Sequence, residues 1–282
     1  MTTLTGHRPT GAAASPGGRA RPGRPGERGA LRWRQWRAPA ALVAIILLGG
    51  VVIALLQPAA PVTRPLDPRN VGGDGTHALA ALLAGQGKRV AIAGTAAAAL
   101  AQARRPGSAV VVADPGLLTG DSLARLAAAP ADLLIVAPGR SALRALAPGV
   151  TLAGLAPVAS HRPGCGWPGA QLAGPADTGG VLLGSAVRGA WRCYPAAPGS
   201  GPRAAPGTGY ATLVRYTSHG RIITVLGTGA PLTNSYLGAD GNAALALNLL
   251  APDSRVVWLL PAPVIAVAGR PVPSLIPGPM YL

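Results

Sequence analysis

The strongest hydrophobic feature of the chain is one uncharged apolar run. It covers residues 38–56 and reads APAALVAIILLGGVVIALL. As a helix this stretch would be about 28 Å long, close to the roughly 30 Å hydrocarbon core of a bilayer. Trp33 and Trp36 precede it, where interfacial aromatic residues are common. The pattern predicts an uncleaved transmembrane helix. The alternative is a cleaved signal peptide, whose apolar region is usually shorter.

After this run, short apolar segments alternate with helical patterns. Strands are predicted where apolar and β-branched residues cluster, at 89–93, 108–113 and 132–137. Helices are predicted between and around them, at 75–86, 95–104, 119–128 and 141–146. Buried strands separated by helices are typical of a parallel sheet covered on both faces. The predicted fold class is therefore α/β, with a mostly parallel Rossmann-like or flavodoxin-like sheet.

The second half of the chain has a less regular pattern. Residues 157–206 are rich in Gly and Pro, contain both cysteines and are interpreted as an insert. Short strands are predicted at 181–183 and 190–193, and a β-hairpin at 210–216 with 221–226. A final helix is predicted at 241–250 and a last strand at 255–260. Residues 69–261 are thus interpreted as one α/β domain. A Pro-rich spacer at 57–68 precedes this domain. A Pro-rich tail at 262–282 follows it and is not predicted to be a second transmembrane helix.

The charge distribution predicts the orientation in the membrane. The chain has 25 Lys and Arg residues against 9 Asp and Glu, a formal net charge of +16. Residues 1–37 are rich in Arg, Gly and Pro without an apolar period, which predicts a disordered tail. Because cationic flanks stay in the cytoplasm, the α/β domain is expected outside it. We expect residues 38–56 and the tail to contact lipid. Nucleic-acid binding by the tail is an alternative that its composition does not favour.

The two cysteines, Cys165 and Cys193, both lie in the domain expected outside the membrane. An isolated pair in an exported domain usually forms a disulfide. A redox-active pair is the alternative, but the spacing is far from C-x-x-C. The four histidines are dispersed along the sequence, so no metal site is predicted.

Five polar residues near predicted strand ends or helix starts are candidates for a ligand-binding edge: Asp74, Thr76, Asp114, Ser141 and Asn234. Ligands of open α/β sheets bind at the carboxyl ends of the strands. Four of them also have a structural interpretation: Asp74 or Thr76 as the cap of the following helix, Asp114 as a turn residue, and Ser141 as a helix cap. Ser141 in particular lacks the second Gly of the G-x-S-x-G nucleophile motif.

Several stretches carry a resemblance to a known family. They are residues 66–68 with 73–76, 193–194, 225–227, 232–234, 241–250 and 255–261. Together they resemble the domain-of-unknown-function 4350 family of actinobacterial membrane proteins. The resemblance implies a class I glutamine amidotransferase-like α/β domain. It also implies an envelope assembly, because such genes tend to neighbour those of MoxR-type ATPases and von Willebrand factor A-like membrane proteins.

The strand ends depart from amidotransferase chemistry. Residues 94–95, 114–115 and 138–139 contain no Cys that could serve as a nucleophile at a strand-to-helix turn. The sequence therefore predicts a non-catalytic, membrane-anchored extracytoplasmic domain that binds a partner or ligand without a cofactor. The alternative is an amidotransferase-like enzyme, or a hydrolase that uses Ser141 or Asp114.

Overall fold

The computed structural model describes residues 39, 41–50, 64–196 and 209–261. The chain divides into two compact units, Met1–Pro61 and Val62–Leu282. In the first unit, residues 41–50 are helical. Within the described ranges, no helix combines the length and the hydropathy that a membrane crossing requires. The predicted tail at 1–37, much of the apolar run at 38–56, most of the spacer and the tail at 262–282 lie outside the described residues.

The second unit contains nine strands and six helices among its described residues. The strands are β1 (Arg89–Ala93), β2 (Ser108–Val112), β3 (Asp132–Val136), β4 (Val150–His161), β5 (Ala176–Ser185), β6 (Trp191–Pro195), β7 (Ala211–Ser218), β8 (Arg221–Leu226) and β9 (Arg255–Leu259). The helices are α1 (His77–Gly85), α2 (Ala96–Gln102), α3 (Gly120–Ala128), α4 (Arg140–Leu146), α5 (Pro168–Ala173) and α6 (Asn242–Leu249). Single 3₁₀ turns follow β2 and β8, at Pro115–Leu117 and Ala230–Leu232.

All nine strands form one mixed sheet. Its order is β1-β9-β2-β3-β8-β7-β5-β4, and β6 pairs with β7 beside this path. The first five strands of this order are parallel, whereas the pairings among β8, β7, β6, β5 and β4 are antiparallel. The α/β class is confirmed. The sheet is mixed rather than mostly parallel, because the region interpreted as an insert adds strands to the same sheet.

The helices cover both faces of the parallel half. Side chains of α1, α5 and α6 pack in one apolar core, and those of α2, α3 and α4 pack in the other. Strand β2 shows why its sequence is continuously apolar. Ala109 and Val111 face the first core, Val110 and Val112 face the second, and all five residues of the strand are buried.

The antiparallel half differs most from the sequence prediction. Strand β4 and helix α5 are not predicted, because Gly154, Pro157 and neighbouring small residues interrupt any apolar period. Strand β4 pairs with β5 through register shifts near both residues. Gly179 of β5 has φ +149°, and a Cβ there would overlap the backbone of Pro157. A glycine at this position therefore lets the two irregular strands approach each other.

The predicted disulfide is present in the structure. Cys165, in the loop between β4 and α5, is bonded to Cys193 of β6. Their Cα atoms are 5.0 Å apart across a sequence separation of 28 residues. In the chain-entropy description, closing a loop of this size contributes about 3–4 kcal/mol to the free energy of unfolding. The bond therefore attaches the loop before α5 to the sheet.

Candidate functional site

Three of the five predicted ligand residues lie together at the carboxyl end of the parallel strands. The segment that contains Asp74 and Thr76 precedes α1 and lies against the segment that contains Asn234. Its position is fixed by Arg64, whose Nη1 donates to the carbonyl oxygens of Leu260 at 3.3 Å and Pro261 at 3.0 Å, directly after β9. The carboxyl edge predicted from the sequence is thus where these residues meet.

Asn234 is the centre of this cluster. Its Oδ1 accepts a hydrogen bond from the N–H of Ala78 at 2.9 Å, in the first turn of α1. Its Nδ2 donates to the carbonyl oxygens of Asn70 at 3.0 Å and Gly72 at 2.7 Å. Asn234 therefore caps α1 and holds the loop before it. All three of these contacts are with the protein's own backbone.

Thr76 and Asp74 also stabilise this loop. Thr76 is buried and its Oγ1 donates to the Leu66 carbonyl at 3.1 Å. Asp74 is exposed, and its Oδ1 accepts from Asn70 Nδ2 at 2.8 Å. The prediction that one of these two side chains caps α1 is wrong. Thr76 occupies the cap position without a side-chain hydrogen bond to the helix, and Asn234 supplies that bond.

An ion pair that the sequence analysis missed lies in the same loop. Asp67 is buried, and its carboxylate accepts from Arg69 Nη2 at 2.8 Å and Nε at 3.1 Å. These hydrogen bonds from Arg69 lower the pKa of Asp67. The pair is one more interaction that fixes the loop in front of α1. No pattern in the sequence distinguishes it from an ordinary charged turn.

Asp114 and Ser141 lie outside this cluster of hydrogen bonds. Asp114 is exposed, and its Oδ1 accepts from the N–H of Gly116 at 3.2 Å, which confirms its predicted role in a turn. Ser141 is exposed in the first turn of α4, whose cap position is occupied by Gly139, so its predicted capping role is wrong. In the ranges that the structure describes, neither side chain is hydrogen-bonded to a His or to a second carboxylate.

The described part of the α/β unit gathers no set of metal-ligating side chains. Among residues 64–196 and 209–261, no group of three or more His, Cys, Asp or Glu side chains could hold a metal ion. A hydrolase at Ser141 or Asp114 would need a His or a second acid beside it, which His77 or His161 could supply. His77 and His161 instead contact backbone carbonyls of Pro68 and Ala159.

The opposite edge of the sheet carries a cluster of charged residues that the sequence analysis did not single out. Asp253 precedes β9, is only 3% exposed, and lies near Asp132 at the start of β3. Burial raises the pKa of Asp253 to about 7. The Asp132 carboxylate adds to this increase, while Lys88 and Arg215 oppose it. Lys88 Nζ donates to the backbone carbonyls of Leu250, Ala251 and Asp253.

Two buried arginines lie in this region. Arg221, at the start of β8, donates to the backbone carbonyls of Leu126, Ala127 and Ala129. The other is Arg215 of β7. It is 7% exposed, and its Nη1 donates to Thr224 Oγ1 at 2.7 Å and to the Leu249 carbonyl at 3.3 Å. The guanidinium also lies 4.8 Å from the centre of the Trp167 ring. Burial lowers the pKa of Arg215. One sequence signal pointed to it, namely a charged residue inside the otherwise apolar run of β7.

A third surface lies on the antiparallel half. Within the described residues, β4 forms one end of the sheet and pairs only with β5. Large apolar side chains are exposed on this half: Leu155 of β4, Leu172 of α5 and Trp191 of β6 are 74%, 78% and 43% exposed. The exposed charges of this half are mainly basic: Arg162, Arg188 and Arg192.

Comparison with known proteins places this fold in a family. The family model described as "Domain of unknown function (DUF4350)" matches residues 68–250. The chain belongs to this family. The match contains both the loop before α1 and the Asn234 segment that holds it. It also contains both cysteines of the disulfide.

One relative is an uncharacterized membrane protein of Mycobacterium tuberculosis. The two sequences are 35% identical over 243 residues, which is 82% of this chain and 56% of the relative. The chain thus spans a little more than half the length of the curated relative that it matches. This relative is a membrane protein by name, and the name assigns it no reaction.

Proposed function

We propose that this DUF4350 protein is a membrane-anchored, extracytoplasmic domain that binds another envelope protein without catalysis. The proposal takes residues 38–56 as the anchor and residues 1–37 as a basic tail that contacts anionic lipid. It is supported by the membrane-protein relative and by the single long uncharged apolar run in the sequence. A disulfide in the α/β unit is in keeping with an oxidising compartment. A MoxR-type ATPase system is the proposed setting.

We assign the parallel half to the Rossmann-like, amidotransferase-like group of α/β folds. Five parallel strands with helices on both faces support this assignment. In such folds the carboxyl edge commonly binds ligands. Here Asn234 and Thr76 at that edge form hydrogen bonds with the loop before α1. These contacts support a structural role for the edge rather than a reactive one.

The exposed edge strand β4 is the observation that carries the binding proposal. The strand is 12 residues long, and within the described residues its outer edge is not paired with another strand. Proteins usually protect such edges with charged side chains, bulges or prolines. Strand β4 contains Pro157 and two register shifts, but Val150–His161 has no Lys, Arg, Asp or Glu. An extended segment of a partner can add to such an edge through main-chain hydrogen bonds.

The charges around β4 indicate the chemistry of the partner. Arg162 directly follows β4, Arg188 follows β5 near the start of β4, and Arg192 lies in β6; all three are exposed. Leu155 of β4 and Trp191 of β6 are exposed apolar side chains of the same half. We therefore propose an extended partner segment that combines apolar and acidic residues. Complementary charge would accelerate its association and fix its register.

Site-specific photo-crosslinking in membranes tests this proposal. A photoreactive residue at Leu155 is expected to crosslink one envelope protein, and peptide mapping is expected to find an acidic, extended segment at the junction. The matched control places the same residue at Leu117, which is exposed in the turn after β2. That position is expected to give no such product.

Charge reversal completes the test. Arg162→Glu combined with Arg192→Glu is expected to reduce the Leu155 product at least several-fold, because both substitutions repel an acidic segment. Identical products from Leu155 and Leu117 would contradict the proposal, as would a product insensitive to charge reversal. A product consisting of two copies of this chain would also overturn the acidic-partner assignment.

A further inference from the structure

A pocket opens between helix α4 and the first residues of the edge strand β4. Its volume is about 430 Å³, enough for one amino-acid residue of a ligand. The helix contributes Arg140, Leu143 and Arg144, and the strand contributes Val150, Thr151 and Leu152. None of these six residues was a candidate from the sequence. The pocket borders the strand that carries the binding proposal.

The inner wall of this pocket is apolar. Leu143 and Val150 are 2% and 4% exposed, and both belong to the apolar core that α4 covers. Leu152 is half-buried and packs against the same core. An apolar side chain that enters the pocket would remove its own surface and this wall from water, which favours binding.

The rim of the pocket is cationic. Arg140 and Arg144 are both exposed, and their spacing on α4 places them on the same face of the helix. Arg188 adds a third exposed cation near the start of β4, because the Ala186 N–H donates to the Gly149 carbonyl at 2.9 Å. The two salt bridges of the described residues lie elsewhere, in the loop before α1 and on α3. Among the residues that line the pocket there is no Asp or Glu.

This arrangement fits a ligand whose carboxylate and apolar side chain are close together. In an extended chain, successive side chains on one face are about 7 Å apart, so an internal acidic residue and an internal apolar residue lie two positions apart. At the carboxyl terminus of a chain, one residue carries both groups on a single Cα. The pocket offers Leu143 between Arg140 and Arg144 within about one turn of helix, roughly 6 Å. Arginine also binds carboxylates through paired, charge-assisted hydrogen bonds.

We infer that this pocket binds the carboxyl-terminal residue of the partner segment at β4, with its side chain against Leu143 and its carboxylate on Arg140 and Arg144. The inference rests on the proposed function and names the part of the partner that the edge selects. Main-chain hydrogen bonds to an edge strand are available to any extended segment, so specificity comes from pockets beside the strand. A chain end held in one pocket also fixes the register of the added strand.

Peptide binding to the full-length chain in nanodiscs of neutral lipid tests this inference. The probe is an amino-terminally fluorescein-labelled heptapeptide, TEVTVTL, with a free carboxyl terminus, and the control is the same peptide as its carboxamide. Fluorescence anisotropy is expected to show about tenfold tighter binding of the acid, because only the acid forms charge-assisted hydrogen bonds with the arginines. A peptide that ends in Gly instead of Leu is expected to bind more weakly, since the apolar wall then stays exposed to water.

Paired arginine variants separate this pocket from general charge effects. Arg140→Gln combined with Arg144→Gln is expected to give similar affinities for the acid and the carboxamide. The matched control, Arg104→Gln with Arg105→Gln, removes the same charge at two exposed positions after α2 and is expected to keep the preference for the acid. Equal binding of the two peptides to the native chain would overturn the inference. So would binding of neither peptide, or a preference that persists without Arg140 and Arg144.

Crosslinking in membranes separates this inference from the proposed function. Thr151 is exposed at the pocket, and a photoreactive residue there is expected to capture the last residues of the partner that Leu155 captures. A Thr151 product that maps to an internal segment of that partner would contradict the terminal-residue inference and leave the partner at β4 in place. The absence of a partner product at both positions would contradict the proposed function and the inference together.

Discussion

Asp253 is buried at a position where its own charge destabilises the folded protein. Its pKa rises from the ordinary value of 3.8 to about 7 because burial disfavours the ionised form. The folded state therefore holds this proton more tightly than the unfolded state. Stability from this residue is complete below pH 4, falls as the pH rises from 4 to 7, and stays low above that range.

Asp253→Asn removes this pH-dependent loss of stability, since the amide stays neutral at every pH. We expect the variant to be more stable than the native chain above pH 7, by on the order of 4 kcal/mol, and to match it near pH 4. Urea unfolding of both proteins at pH 4, 5.5 and 8 measures the difference. Asp240→Asn, at an exposed site, is the control. Parallel pH profiles for the native chain and Asp253→Asn would contradict the assignment.

Helix α1 shows how a distant residue completes a secondary-structure element. The helix begins after Thr76, and the acceptor for its Ala78 N–H comes from Asn234, which is 156 residues away in the sequence. The same side chain also binds two carbonyls of the preceding loop. The amino end of α1 therefore depends on the segment after β8.

Asn234→Ala is expected to destabilise the folded chain by about 1–3 kcal/mol, because one helix N–H and two loop carbonyls lose their partner. Chemical denaturation measures this change, and hydrogen exchange should show faster opening at the start of α1. Ser235→Ala is the matched control. It removes an exposed hydrogen bond to the Gly73 carbonyl and a long contact with Thr233 Oγ1 at 3.5 Å, and should cost less than half as much. Equal effects of the two substitutions would refute the capping role.

Sequence patterns identified the elements of the parallel half because each has a clear local cause. Strand β2 is apolar at nearly every position since both of its faces are buried, and α3 shows Leu123 and Leu126 on one side. Strand β4 and helix α5 lack such local causes. Glycines, Pro157 and the contacts of the sheet determine their conformation.

The same distinction applies to the candidate site. The carboxyl edge and the nearness of Asp74 to Thr76 follow from local sequence and the general rule for α/β sheets. The cap of α1 by Asn234 and the nearness of Asp132 to Asp253 depend on segments that meet only in the folded sheet. A single sequence carries no local signal for contacts of this kind.

At the scale of the whole molecule, the account depends on which side of the membrane carries the α/β unit. The arginines of residues 1–37 predict that this tail stays in the cytoplasm and that residues 64–261 lie outside. The Cys165–Cys193 disulfide belongs to the unit that is expected outside. The proposed partner at β4 would then come from the extracytoplasmic space.

Thiol labelling in intact cells tests this orientation most directly. Cys193→Ser leaves Cys165 as the single thiol, and a membrane-impermeant maleimide is expected to label it without lysis. The control chain lacks both cysteines and carries Ser15→Cys in the tail, so labelling is expected only after lysis. Labelling of Cys165 only after lysis, or of the tail cysteine in intact cells, would contradict the extracytoplasmic placement and the envelope role built on it.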